Sequence, residues 1–417
     1  MITKLIVQGF KGLREFNIQP GHVNLVIGAN GTGKSNLAEL VRFIARLPRD
    51  GLKYTMNDMG GENAIRTRQG TGAPFKFHVE FEATQDAARG IESIVYGFEL
   101  TQSKGDLRVS REWLRAVVYK RKAGRPKAQD YPLFDAQLPV ELTYERSGER
   151  INHLSEDLKR LEPDFANIET DALILSAFGQ AGELKTITDF VGSWRAYNID
   201  AALAKLVLGR GDIELSANGD NLVPFLIRVL GDPSIRQSLL TQLREPVPYI
   251  RDIRPEFGPA FHTLKFSEAD SGNEFQLSDM SDGTVRLLGL FAIFLQKAPP
   301  AVILLEEPEN ALHRYAISRL LELVYHVATR EKFPSQVFLT SHSPVVADEV
   351  LRADKLLDKQ FKSCCFISQR DKISIVAAPT KTIQAIANNI GRPSEYLRDG
   401  DMGDDPLRLL NTQQNGE

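Results

Sequence analysis

Gly28-Ala29-Asn30-Gly31-Thr32-Gly33-Lys34-Ser35 fits the spacing G-x-x-x-x-G-K-[ST] at every fixed position, and that spacing dictates what must lie on either side of it. Glycines let consecutive backbone N–H groups turn inward around a phosphate, and a helix starting at the end of the loop adds the positive end of its dipole. A buried strand should therefore precede the loop and a helix follow it. Residues 23–27 form a short apolar run with β-branched members, as a strand inside a parallel sheet requires. Residues 36–44 have helical spacing, with Leu37, Leu40, Val41 and Ile44 on one face. In such a loop Lys34 gives a point charge to the terminal phosphates, and Ser35 offers its hydroxyl to Mg²⁺.

At 417 residues the chain exceeds one ordinary core, so two cores or one core with a large insertion are expected. With 42% hydrophobic residues, 25% charged residues and a net charge of −3, no overall basic excess points to nucleic acid, and any such contact must come from a local patch. The most apolar region, residues 287–305, is interrupted by Gln296, Lys297, Pro299 and Pro300, so no membrane span is expected. The amino terminus lacks the apolar stretch and small-residue site of a secretory signal, and a cytoplasmic location is the expectation. Cys364 and Cys365, the two cysteines, match no metal or redox spacing and read as core residues.

Further fixed positions sharpen the first motif. A strand-like segment over residues 5–10 ends in Gly9-Phe10-Lys11, and the loop itself continues as G-x-N-G-x-G-K-S-N, with Asn30 and Asn36 at the added positions. The stretch ITKLIVQGFKGLREFNIQPGHVNLVIGANGTGKSNL resembles the amino terminus of ABC-class ATPases related to the RecF, structural-maintenance-of-chromosomes and OLD proteins. The resemblance implies a nucleotide held by Asn30, Gly31, Gly33, Lys34, Ser35 and Asn36, with ATP and Mg²⁺ as cofactors.

Residues 46–72 read as loops with a short helix, and alternation at 75–81, 94–100 and 107–110 reads as an antiparallel meander with one wet face. In the resembled family a β-rich arm carries a glutamine that senses the nucleotide, which points to Gln69. The densest basic run, residues 119–127, suits contact with nucleic-acid phosphates through Lys120, Arg121 and Lys122, and equally suits a solvated hairpin loop. Residues 147–243 read as helical, with amphipathic stretches at 154–161, 184–194 and 222–230 and with Asp220 or Asn221 as a helix N-cap. Strands are expected again at 247–253 and 261–266.

Three later motifs complete the set in the family's order. Leu277 to Thr284 resembles the ABC signature in an S-D-G-T form and opens an apolar helix over 285–295; Ser281, Asp282 and Gly283 would form an anion site at its start. In the family that site meets the γ-phosphate held by the opposite subunit. Residues 301–305 form a buried apolar strand ending in Glu306-Glu307, a Walker B pattern in which adjacent acids at a strand's end point to opposite sides. By resemblance Glu306 takes the Mg²⁺ position and Glu307 orients the attacking water. The family often has aspartate at the first, so hydrolysis is expected to be slow. His313 follows in a P-E-N-x-L-H run, where a local hydrogen bond and a catalytic role are both open, and Arg314 stands where proline is usual. His342, after the apolar run 335–340, matches the switch histidine that contacts the γ-phosphate.

Strands at 362–369 and 372–377, a helix at 382–390 and a Gly- and Asp-rich tail remain, too little for the TOPRIM nuclease of OLD proteins. Asp399-Gly400-Asp401 follows no apolar strand and reads as solvated tail. The fold expected is α/β: an ABC-type ATPase head built from residues 1–49 and 275–378, an inserted β-rich arm and helical lid over 50–274, and a helix and tail over 379–417. The resemblance implies a head-to-head homodimer with composite sites. It also implies an ATP-hydrolysing switch acting on a separate effector, a nuclease or toxin in a prokaryotic defence system. A RecF-like DNA-repair clamp and a nucleotide-stabilised scaffold that does not hydrolyse ATP are the alternatives.

Overall fold

In the computed structural model of the chain, the residues described are 1–28, 31–65, 74–83, 89–103, 106–121, 134–161, 165, 168–206, 214–257, 262–296, 299–330, 333–354, 363–369 and 374–377. Asn30, Gln69, Lys122, the helix expected at 382–390 and the Asp399–Asp401 stretch lie outside them.

The chain opens with β1 (Ile2–Phe10), β2 (Leu13–Ile18) and β3 (Val23–Ile27), and α1 (Lys34–Asp50) follows the glycine-rich loop. Buried Leu37, Leu40, Val41 and Ile44 lie on α1 with Phe43 and Leu47, so the apolar stripe read from spacing is the face that packs. Two short helices, α2 (Leu52–Asp58) and α3 (Glu62–Ile65), lead to the antiparallel strands β4 (Phe75–Glu82), β5 (Ile91–Ser103), β6 (Asp106–Arg121), β7 (Phe134–Ser147) and β8 (Arg150–Leu154). Next come α4 (Ile174–Phe178), α5 (Leu184–Gly192), β9 (Arg195–Tyr197), α6 (Ala201–Ala204), α7 (Leu222–Val229) and α8 (Pro233–Leu243). A small three-stranded sheet of β10 (Ile250–Phe257), β11 (His262–Glu268) and β12 (Glu274–Gln276) precedes α9 (Asp282–Phe294). The rest is β13 (Val302–Glu306), α10 (Arg314–Ala328), β14 (Gln336–Ser341), α11 (Pro344–Asp354), β15 (Ser363–Gln369) and β16 (Ser374–Ala377).

Among the described residues the two large sheets run β2-β1-β4-β5-β6-β7-β8 and β16-β15-β3-β14-β13-β9. The second is parallel from β15 through β9 and places alternate side chains on opposite faces, as a strand's period of two requires. Val26, Val302, Leu304, Phe338 and Phe366 join a core shared with α1, α4, α5 and the antiparallel sheet. Leu25, Ile27, Ile303, Leu305, Val337 and Leu339 join a second core with the helices from α7 to α11. Burial on both faces explains why these strands read as unbroken apolar runs. The fold is thus α/β, a mostly parallel sheet covered on both faces and joined to a seven-stranded antiparallel sheet through a shared core. No helix among the described residues is long and apolar enough to cross a membrane.

Several local expectations change. The stretch read as helical holds β8 and β9; β9 has only 3 residues, too few to display a period, and is a strand because β13 pairs with it. β1 pairs with both β2 and β4, and the middle of the chain supplies β9 to the parallel sheet. Asn221 does precede α7, but its side chain accepts from the Ser216 N–H at 2.8 Å instead of capping the helix. Cys364 and Cys365, read as core residues, do pack against the two cores from β15, half-buried, and burial pushes the Cys365 thiol up to about 12. Arg121 of the basic run is held by Asp189 at 2.7 Å.

Candidate nucleotide site

The register of the parallel sheet brings its strand ends level. Ile27 pairs with both Ser341 and Ile367, Glu306 with Thr340, and Leu305 with Tyr197. The residues that follow β3, β13, β14 and β9 therefore open into one crevice at the carboxyl edge, the usual ligand position in parallel α/β sheets.

From β3 the loop begins with Gly28, whose N–H donates to the Ser341 carbonyl at 3.3 Å. Gly33 caps α1 with φ 103°, a left-handed turn that a side chain resists, and this turn starts the helix at Lys34. The buried Lys34 Nζ donates to the Gly28 carbonyl at 2.7 Å, folding the loop back on itself. Burial lowers the Lys34 pKa from its ordinary value, while the Glu307 and Glu309 charges act the other way. Gly31 and Ser35 are exposed, and the Asn36 N–H donates to the Gly33 carbonyl at 3.0 Å. β15 braces the loop from the side: the buried Ser368 hydroxyl donates to the Thr32 carbonyl at 2.8 Å.

β13 delivers the carboxylates. Glu306, only 8% exposed, is paired with Arg42 from α1. Burial raises its pKa, and Arg42 opposes that rise. At Glu307 the backbone turns left-handed, φ 42°, a conformation costing a non-glycine residue roughly 1–2 kcal/mol. Its N–H is fixed on the Thr340 carbonyl at 3.0 Å. The turn sends the Glu307 carboxylate away from Arg42 and toward His342, whose Nδ1 is 3.2 Å away, and Asn310 Nδ2 donates to it at 3.2 Å. Burial alone would raise the Glu307 pKa; Asn310, His342 and Lys34 outweigh it and leave it below the ordinary carboxylate value. The left-handed turn after β13 thus separates two adjacent acids into two environments.

A third carboxylate, which the motif reading left without a role, completes the group. Glu309 is buried; its Oε1 accepts from Ser341 Oγ at 2.5 Å and lies 4.0 Å from His342 Nδ1. Its Oε2 has no hydrogen-bond partner among the described residues. His313, by contrast, caps α10 through Nδ1, which accepts from the Ala316 N–H at 3.2 Å, so its hydrogen bond is local.

These oxygen donors suit a hard divalent cation. Among the described residues no group of three or more His, Cys, Asp or Glu is arranged to hold a metal by itself. Mg²⁺ fits that pattern, because it is usually bound by one or two carboxylates with substrate phosphates and waters completing the shell. Ser35, Glu306 and the orphaned oxygen of Glu309 are the groups available to it.

The signature segment presents a surface. Ser281 caps α9 by accepting from the Thr284 N–H at 3.2 Å, and the Tyr249 hydroxyl lies 3.2 Å from Thr284 Oγ1. Asp282 is exposed and paired with Lys205 at 2.7 Å. Gly283 packs so closely under the turn after β13 that a Cβ there would sit 2.4 Å from the Ala311 carbonyl oxygen. Buried Arg286, on the next turn of α9, donates to the Glu307 carbonyl at 2.9 Å and to the Ile199 carbonyl. Arg286 thereby ties α9, the end of β13 and the exit of β9 into one unit, and burial lowers its pKa. A cleft of about 670 Å³ lies beside this junction, lined by Arg42, Asn198, Asp200, Asp282, Arg286 and Asn310 among others. Gln69, expected by resemblance to sense the nucleotide, lies outside the described residues. Asn198 and Asp200 stand where the chain leaves β9 for α6. Only the pairing of β9 with β13 shows this, and residues 195–197 carry no sequence signal for it.

No curated protein matches the chain. Its fold is similar to the SMC head bound to the C-winged helix domain of ScpA, with 16% identity, a TM-score of 0.49, and coverage of 91% of this chain and 98% of that one. The SMC head domain from Thermotoga maritima gives 15% identity, a TM-score of 0.42 and coverage of 91% and 98%. The Pyrococcus furiosus Smc head domain with an extended coiled coil, bound to the C-terminal domain of ScpA, gives 16% identity, a TM-score of 0.46 and coverage of 93% and 98%. The family model described as "AAA domain, putative AbiEii toxin, Type IV TA system" matches residues 23–348, the span from β3 through His342 that carries every motif of the site, and the chain belongs to that family as an ABC-class AAA ATPase.

Proposed function

We propose that this chain binds and slowly hydrolyses ATP with Mg²⁺ at a site completed by a second copy, and that the state of this site controls a separate effector, a nuclease or toxin in a prokaryotic defence system. The observation that carries the reading is the convergence of Lys34, Glu307, Glu309 and His342 at one edge of the parallel sheet while Ser281 and Asp282 face solvent. Lys34, Glu307, Glu309 and His342 lie within one chain, and the exposure of Ser281 at the start of α9 supports the reading that a partner's nucleotide meets it there.

In this reading Lys34 and the loop N–H groups hold the β- and γ-phosphates. Glu307, kept ionised by Asn310 and His342, orients the attacking water. Bound Mg²⁺ would neutralise charge on the phosphates, with Ser35 and Glu306 on its coordination shell or the waters of that shell. His342 lies against Glu307 and Glu309, where it can register the γ-phosphate. The family's description places AAA domains of this kind in a toxin–antitoxin context, which supports the defence setting of this reading. The DNA-clamp alternative draws less support, because Arg121 of its basic run is engaged by Asp189.

The test is complementation between two inactive variants. Lys34→Ala removes the phosphate grip and Ser281→Ala removes the signature hydroxyl, so each homodimer should lose turnover. Mixing them creates dimers in which one site has both intact halves, and turnover should return. Full activity of Ser281→Ala alone, or a mixture as inactive as its components, would sink the composite site. Absence of turnover in the wild type with ATP still bound would favour the non-hydrolysing scaffold.

A further inference from the structure

Arg42 belongs to no motif, yet it engages the carboxylate that the motif set reserves for the metal. It lies on α1, the helix opened by Lys34, and its guanidinium is paired with Glu306 Oε1. Glu306 is buried at the end of β13, and an ionised carboxylate there needs a compensating charge. Arg42 differs from Arg286 in one respect that matters. Arg286 is locked on carbonyls from two segments, whereas the Arg42 side chain is 34% exposed and also lines the cleft of about 670 Å³. The same cleft is lined by Asp200, whose carboxylate caps α6, and by Asp282, which is paired with Lys205, so a displaced guanidinium has open space on an acidic wall beside it.

We propose that Arg42 is an internal stand-in for the metal: it holds Glu306 while the cation is absent and gives up the carboxylate to Mg²⁺ arriving with the nucleotide, moving toward the cleft between β9 and the signature helix. The inference rests on the nucleotide-site reading above. A cation and a guanidinium competing for one carboxylate make the metal bind more weakly than the oxygen set alone would allow. The released arginine also carries the news of metal binding to Asp200, where the chain leaves the sheet, and to Asp282, beside Ser281. Arg42 is thus a positioning residue with no required contact with the nucleotide.

The experiment follows thermal unfolding of the full chain with a non-hydrolysable ATP analogue while Mg²⁺ is titrated, in wild type, Arg42→Gln and Arg42→Lys. In Arg42→Gln the metal-free protein should melt earlier, and half-maximal stabilisation should come at Mg²⁺ concentrations lower by about tenfold, because the competing state has been removed. Arg42→Lys retains a charge without the guanidinium fork and should shift the same way by less. An equal loss of melting temperature at every Mg²⁺ concentration, with the half-maximal point unmoved, would make Arg42 a plain tether and overturn the proposal. A higher Mg²⁺ requirement in the variants would overturn it as well, by making Arg42 a contributor to metal binding. A wild type that the analogue and Mg²⁺ fail to stabilise would instead refute the nucleotide-site reading itself.

Discussion

Glu112 in the antiparallel sheet and Glu306 in the parallel sheet are both buried carboxylates on central strands, and they are held in opposite ways. Glu112 Oε1 accepts from the hydroxyls of Tyr96 at 3.2 Å and Tyr144 at 2.8 Å and from the Leu175 N–H at 3.2 Å, and its Oε2 accepts from the Ile174 N–H at 2.7 Å. Those donors come from β5, β7 and the start of α4, so the carboxylate pins a helix to the middle of a sheet. Glu306 has one long, half-exposed arginine. Burial alone therefore does not distinguish structure from function at these two sites. A carboxylate surrounded by fixed donors is part of the scaffold, and one compensated by a single displaceable cation is available for chemistry.

That contrast is broken or sharpened first by turnover. Glu306→Gln should lower ATP hydrolysis by about 100-fold or more, the scale on which a preorganised charge at a phosphoryl-transfer site is felt. Glu112→Gln should leave the rate per folded molecule unchanged, since none of its donors belongs to the site. Steady-state ATPase assays well below both melting transitions decide this. A Glu112→Gln enzyme that stays folded yet loses turnover as fully as Glu306→Gln would erase the distinction.

Stability should rank the pair the other way. Glu112→Ala strips two tyrosine hydroxyls and two backbone N–H groups of their acceptor in a fully buried place, at about 1–3 kcal/mol for each group left unsatisfied, so a total on the order of 3 kcal/mol or more is expected even with some relaxation. Glu306→Ala releases Arg42 to solvent and should cost about 1 kcal/mol or less. Urea unfolding of the two variants measures both. A larger loss from Glu306→Ala would mean that the Arg42 pair is the stronger fastening, which would count against its being displaceable.

The two sheets also differ in how far the sequence discloses them. The parallel sheet is buried on both faces, so β3, β13 and β14 stand out as apolar runs, each delivering a motif whose spacing is fixed by phosphate chemistry. That local logic made Lys34, Glu307 and His342 legible. It could not reveal partners supplied by tertiary structure. Arg42 sits on an ordinary helix, Glu309 looks like loop, and β9 is too short to carry a pattern; all three acquire meaning only when β13 pairs with β9 and packs beneath α1. In the antiparallel sheet alternation disclosed strands at 94–100 and 107–110, yet the 13- and 16-residue lengths of β5 and β6 were hidden where a register shift breaks the period of two, at Glu92 in β5 and at Ser110 in β6. Glu112, a charge on the inner face of β6, is the sort of residue that a hydrophobic pattern assigns to the outside.

The smallest effect, and the most direct probe of what holds Glu112, is its pH dependence. Burial pushes the Glu112 carboxyl above its ordinary value, although the Ile174 and Leu175 N–H groups, the Tyr144 hydroxyl and Arg146 act against the rise. A group that binds its proton more tightly folded than unfolded contributes fully below the unfolded value of about 4.3 and loses that contribution as pH climbs through the folded value. Glu307, whose pKa is lowered, has the opposite sign: its contribution is present above about 4.3 and disappears as pH falls through the folded value. The stability gap between wild type and Glu112→Gln should therefore narrow as pH rises from about 4.5 toward neutrality, whereas the gap between wild type and Glu307→Gln should widen as pH rises from the acid side and then level off. The chemistry at Glu112 allows this because both tyrosine hydroxyls can reverse and accept a proton from the neutral acid, even though the two backbone N–H groups cannot. If the Glu112 gap instead widens with rising pH, the fixed N–H groups prevail and the carboxylate is ionised in the fold. Glu112 would then be a buried anion like Glu306, and the number and rigidity of its donors would alone separate the two.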